Sequence, residues 1–110
     1  MDDVFKALAD ASRRSLLDHL YAKGGQTLHE LVEPFSREMS RQAVMKHLGI
    51  LEKANLVTTV RSGREKLHYL NPIPIHAMQD RWIKKFERQR MDALSALKSA
   101  LEETDPKRKK

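Results

Sequence analysis

Hydrophobic positions along this chain recur mostly at helical spacing, and one central stretch breaks that period. In "DVFKALA" (3–9), Val4, Phe5 and Leu8 share one side of a short expected helix. Leu16, Leu17 and Leu20 repeat the pattern over about 12–22, with Asp10 or Ser12 as candidate N-cap and "KGG" (23–25) as the stop. In "QTLHELVEPF" (26–35), Thr27 and Glu30 have the spacing of a capping box, and Leu28, Leu31, Val32 and Phe35 form the apolar side. Pro34 lies inside that pattern, so the helix is expected to end or distort near 33–35.

After the polar connection "SREM", the stretch "SRQAVMKHLGIL" (40–51) opens with Ser40 as N-cap. Val44, Leu48, Leu51 and Ala54 follow at i, i+4, i+7 and i+10, a core-facing stripe, and Asn55 suits a left-handed C-terminal position. A helix, a tight turn and a second amphipathic helix with a basic start make a helix-turn-helix candidate.

The period then changes. "LVTTVRSGREKLHYL" (56–70) carries β-branched and aromatic residues on both sides of "RSGR". Residues 56–60 are expected to pair with 66–70 as a hairpin whose tip is Arg61, Ser62, Gly63 and Arg64, with Gly63 free to take positive φ. "NPIP" (71–74) reads as an extended break. From Ile75 to about Glu103 the helical period returns, with Ile75, Met78, Trp82, Ile83, Phe86, Leu94, Leu97 and Leu101 on one side.

The expected fold is therefore mainly α with a small β element: a winged helix-turn-helix with a β-hairpin wing and a long C-terminal helix. Residues 1–103 are read as one domain and 104–110 as a basic flexible tail. The last helix would be about 42 Å long, too long for so small a domain to cover. A second copy of the chain is the simplest cover for its apolar stripe. The expected dimer interface is Val4, Phe5, Ile75, Met78, Trp82, Ile83, Phe86, Leu94 and Leu97.

Composition narrows the function. The chain has 110 residues and a formal net charge of +6, which favours a polyanionic partner. Four of the basic residues lie in the terminal "PKRKK", leaving a net charge of about +2 for the rest, so charge alone does not decide. The absence of cysteine excludes disulfides, thiolate metal sites and cysteine nucleophiles. No apolar run is long enough to span a membrane. "MDDVFKALAD" lacks the basic and apolar regions of a secretion signal, so a cytoplasmic setting is expected. No P-loop, dinucleotide turn, H-E-x-x-H or G-x-S-x-G motif is present, and no enzymatic activity is expected.

"FKALADASRRSLLDHL", "TLHELVEPF", "MSRQAVMKHLGILEKANLV" and "RSGREKLHYLNP" together resemble the ArsR family of winged-helix bacterial transcription regulators, over about residues 3–102. The resemblance implies a homodimer that binds pseudo-palindromic double-stranded operator DNA, usually as a repressor and often of its own promoter. Helix 40–54 would enter the major groove and the 61–66 wing would meet the minor groove or backbone.

On a helix starting at Arg41, Arg suits guanine, Gln42 suits adenine, and Met45 suits a thymine methyl. Ser40 and Lys46 are placed for phosphates. His47 lies at the edge of the buried stripe, where packing, a hydrogen bond and a phosphate contact are all open. On the wing, Arg61, Arg64 and Lys66 are the expected DNA contacts. Arg13, Arg14 and Arg37 are further phosphate candidates.

Relatives of this kind often sense metal. The positions matching the family's Cys-x-Cys site are Thr27 and His29, and the last helix offers only His76 and Asp80, short of the four ligands zinc requires. No metal or cofactor is expected. The effector is left open, and the alternatives are a metal- or ligand-responsive sensor of the same family or a protein-interaction module using the last helix.

Overall fold

Asp10 separates the first two helices. Its carboxylate accepts from the Ser12 and Arg13 amides at 2.8 and 3.2 Å, capping α2 (Ala11–Ala22) directly after α1 (Asp2–Leu8). The computed structural model describes residues 2–104. Of the expected tail, only Thr104, the last helical residue, is described, and 105–110 lie outside the described residues. The chain divides into two compact units, Met1–Ile75 and His76–Lys110.

In the first unit, Thr27 caps α3 (Leu28–Val32) with the reciprocal Thr27–Glu30 box, and the chain tightens into a 3-10 turn at Glu33–Phe35. Pro34 ends the α-helical pattern there, because its ring cannot donate the next bond. Ser40 Oγ accepts from the Ala43 amide at 3.1 Å and starts α4 (Arg41–Lys53). Asn55, at φ 62°, turns the chain out of α4 in a left-handed conformation.

Strands β1 (Val57–Ser62) and β2 (Glu65–Leu70) pair antiparallel from Val57↔Leu70 to Ser62↔Glu65. The hairpin tip is tighter than the composition of "RSGR" indicated. Arg61 and Ser62 remain in the ladder, and the turn is Gly63–Arg64, with Gly63 at φ +61°. Gln26 adds an isolated antiparallel bridge to His68, so the α2–α3 connection flanks the root of the hairpin.

The core of this unit is built from Leu16, Leu31, Val44, Leu48, Leu51 and Leu56, all essentially inaccessible to water. Each large side chain so buried contributes on the order of 1.5–3 kcal/mol against its exposed state. Val4 is only 6% exposed and joins this core, so its side chain is packed within its own unit rather than at the surface expected for it. Phe35 is also buried and meets His19 edge-on at 4.9 Å between ring centroids.

"NPIP" is not extended throughout. Helix α5 (Ile73–Met78) begins inside it, with Asn71 Oδ1 accepting from the Ile73 amide at 3.3 Å. Pro74 is tolerated because first-turn positions need no intrahelical donor. Helical backbone continues through a π-turn, Gln79–Ile83, into α6 (Lys84–Thr104). At the π-turn the Lys84 amide donates to the Gln79 carbonyl, five residues back instead of four. Ile83, Phe86, Leu94 and Leu97 are all exposed large apolar residues. No helix among the described residues is long and apolar enough to cross a membrane.

Candidate nucleic-acid interface

Helix α4 has two faces of opposite character. Val44, Leu48 and Leu51 are sealed in the core, while Arg41, Gln42, Met45, Lys46 and Gly49 are exposed. At 100° per residue the exposed set occupies one continuous arc along the first turns. The serine cap leaves that arc at a helix N-terminus, where backbone amides and the helix dipole favour an anion.

The wing residues do not behave alike. Arg61 and Lys66 are cross-strand partners, so their like charges project on the same face of the hairpin. Lys66 Nζ lies 2.8 Å from Glu52 Oε1 on α4, which offsets the repulsion and ties the wing to the helix. Arg64 is exposed at the turn. Arg41, Met45, Arg64 and Lys66 therefore come together around one cleft between α4 and the hairpin.

His47 is half-buried, and its Nδ1 lies 3.3 Å from an Arg13 guanidinium nitrogen. Arginine can only donate, so Nδ1 accepts. Arg13 also donates to the carbonyls of Ala7 at 2.8 Å and Lys6 at 3.0 Å, closing the end of α1. These bonds commit a guanidinium read from the sequence as a phosphate candidate to intramolecular work. Asp10 sits 3.8 Å from the same group. Its carboxyl is held below the usual carboxylate range, first by the Arg13 amide and further by the Ser12 amide and the Arg13 charge. The Arg14 guanidinium donates to the Leu8 carbonyl at 2.7 Å.

The positions checked for metal are engaged elsewhere. Thr27 and Glu30 cap α3, and the Thr27 amide and hydroxyl hold the Glu30 carboxyl below its usual range. His76 Nδ1 is 3.3 Å from Asp80, whose other oxygen takes Lys84 Nζ at 2.7 Å. Asp80 is lowered chiefly by that lysine. Among the described residues, no three His, Cys, Asp or Glu side chains group to hold a metal ion.

Sequence patterns missed the partners that order this surface. Glu52–Lys66, Arg13–His47 and Gln26–His68 each join residues far apart in the chain, and local periodicity carries no signal for such pairs.

A capped helix with an exposed polar arc, a preceding helix across a tight turn and a basic hairpin beside it define a winged helix-turn-helix transcriptional regulator. Comparison with known proteins agrees. A helix-turn-helix domain family matches residues 8–60. The chain is 38% identical over 86 residues to the uncharacterized HTH-type transcriptional regulator YuzN of Bacillus subtilis, covering 74% of this chain and 94% of that one. It is also 38% identical over 72 residues to the transcriptional repressor SdpR of Bacillus subtilis, covering 64% and 76%. Among solved structures, an ArsR-like transcriptional regulator from Rhodococcus sp. RHA1 superposes with TM-score 0.71 at 28% identity, covering 94% of this chain and 92% of that one. The chain belongs to the ArsR family of winged helix-turn-helix regulators, and its function is DNA-binding regulation of transcription.

Proposed function

We propose that two copies of this chain bind a two-fold operator as a repressor. One α4 from each copy enters a major groove, with the pair about 34 Å apart, and each hairpin tip lies against the adjacent minor groove or backbone. The observation that carries the reading is the exposed arc of Arg41, Gln42, Met45 and Lys46 on the first turns of a helix whose opposite side is fixed in the core. Arg41 and Gln42 read guanine and adenine edges, and Met45 meets a thymine methyl. Ser40, Lys46, Arg61, Arg64 and Lys66 meet phosphates or the minor groove. The repressor sign is supported by the likeness to SdpR.

In this reading Arg13 holds the His47 ring at Nδ1, and the Nε2–H is the donor left for a phosphate. Dimerisation is supported by the exposed Ile83, Phe86, Leu94 and Leu97, an apolar set that water disfavours and a second helix of the same kind would cover. Trp82, Ile75 and Phe5 are also exposed and Met78 half-buried.

The test is binding to selected genomic duplexes by fluorescence anisotropy across a salt series. The parent should prefer a palindromic fragment and lose affinity steeply as salt rises. An R41A/Q42A/R64A variant should lose on the order of 1–3 kcal/mol for each base contact removed. If it binds the selected and random duplexes as the parent does, α4 and the wing are not the reading surface. In sedimentation, F86E or L94E should give monomers; an unchanged dimer would remove α6 from the interface.

A further inference from the structure

The cleft between α3, α4 and the hairpin has an unusual floor. His68 is 3% exposed, and its Nδ1 lies 2.8 Å from the Gln26 backbone carbonyl. A carbonyl only accepts, so Nδ1 carries the hydrogen and the neutral ring keeps an acceptor lone pair at Nε2. No hydrogen bond to Nε2 is formed among the described residues, yet no fully buried side-chain nitrogen or oxygen there lacks a partner. Nε2 is therefore not sealed from solvent-accessible space, and His68 is one of the residues lining this cleft of about 390 Å³. That volume is in the range of small-ligand sites.

The walls define what fits. Leu28, Met45 and Leu48 give an apolar slot. Arg41, Arg64 and Lys66 outnumber Glu52 and Glu65 around it, and Glu52 is already paired with Lys66. The lining thus combines a buried histidine with a free ring acceptor, apolar side chains, and two arginines from the hairpin turn and the start of α4.

We propose that this cleft is an effector site for a small hydroxylated aromatic carboxylate. The hydroxyl donates to His68 Nε2, the ring lies among Leu28, Met45 and Leu48, and the carboxylate pairs with Arg41 and Arg64. Its regulatory consequence rests on the DNA-binding reading above: the same two arginines cannot serve the ligand and DNA together, so ligand and operator compete.

The probe is 4-hydroxybenzoate, titrated to about 10 mM into the full chain without DNA and followed by NMR of backbone amides and histidine rings. Saturable shifts centred on Leu28, Met45, Leu48 and His68 are expected, in the millimolar range that about ten heavy atoms allow. Benzoate, which lacks the donor, should bind about fivefold more weakly, and phenol, which lacks the carboxylate, weaker still. Met45→Trp fills the slot from a half-exposed position without touching His68, and should abolish the shifts while the amide spectrum stays folded.

Shifts that do not saturate, that centre elsewhere, that are equal for benzoate, or that persist in Met45→Trp would overturn the site. Anisotropy on the selected duplex separates this from the DNA reading. A chain that binds the probe but no duplex keeps the site and loses that reading. A chain that binds duplex but not the probe does the opposite. Simultaneous, independent binding of both overturns the competition.

Discussion

Replacing Arg13 separates two roles that one basic residue beside a recognition helix could have. Its side chain is 14% exposed and donates to the Ala7 and Lys6 carbonyls and to His47 Nδ1. Bonds from a charged donor are worth roughly 1.5–3 kcal/mol when buried, less where water competes. Allowing for the partly exposed partners, Arg13→Ala should cost about 2–3 kcal/mol, a large share of a small domain's stability. For a chain of this size that lowers Tm by roughly 10–20 °C. Arg13→Lys keeps the charge but cannot span two carbonyls and an imidazole, so it should lose at least half as much. Measured at low temperature, where all variants are folded, the slope of log affinity against log salt should match the parent. A phosphate contact would instead reduce the slope by about one and leave Tm untouched. If Arg13→Lys melts like the parent while Arg13→Ala loses one unit of slope, the structural role assigned to Arg13 is wrong.

The remaining predictions concern the caps, the exposed face and pH. Ser40→Ala removes the bond to the Ala43 amide and should cost about 1 kcal/mol in denaturant unfolding; Ser40→Asp should retain that stability while weakening DNA binding through its charge. Gly49 sits mid-helix with nothing within 4 Å of an added Cβ, so Gly49→Ala should gain about 0.5–1 kcal/mol, and a fall in Tm would show the face is not open. Asp10, Glu30 and Asp80 all have depressed pKa values in the fold, so the stability they contribute is present above their unfolded value of about 4 and is lost as pH falls through the folded values. Urea unfolding should therefore show stability falling below about pH 4, with Asp10→Asn flattening that decline; an unaltered decline would remove Asp10 from it.

What could be read in the sequence was what short range decides. Ser40, the Thr27–Glu30 box, Asn55 and the Val44–Leu48–Leu51 stripe declare themselves within a few residues, because caps and periods are local. The hairpin tip was misjudged because composition marks turn residues but not register; pairing out to Ser62↔Glu65 fixes a two-residue turn. Pro74 looked like a breaker because its effect depends on its place in the helix, harmless in a first turn. Val4 has the same helical spacing as an exposed residue would, and only the packing of α1 makes it core. Within the interface, the exposed arc on α4 was legible, whereas the Arg13 bond that orients His47 spans 34 positions and has no local signature.

The π-turn at Gln79–Ile83 gives the last helix a tolerance of chain length that its amino-acid types do not disclose. Five residues there do the work of roughly four, so the segment behaves as an inserted residue absorbed without a break. Deleting one residue from it would restore ordinary winding and leave Lys84–Thr104 helical. Four residues would then cover the rotation that five cover now, so Phe86, Leu94 and Leu97 would keep nearly the same bearing about the axis relative to His76–Met78. The same deletion made in the regular winding of α6 would instead swing every later side chain by about 100°. The turn is a point of slack, where a residue can be lost without redirecting the surface beyond it.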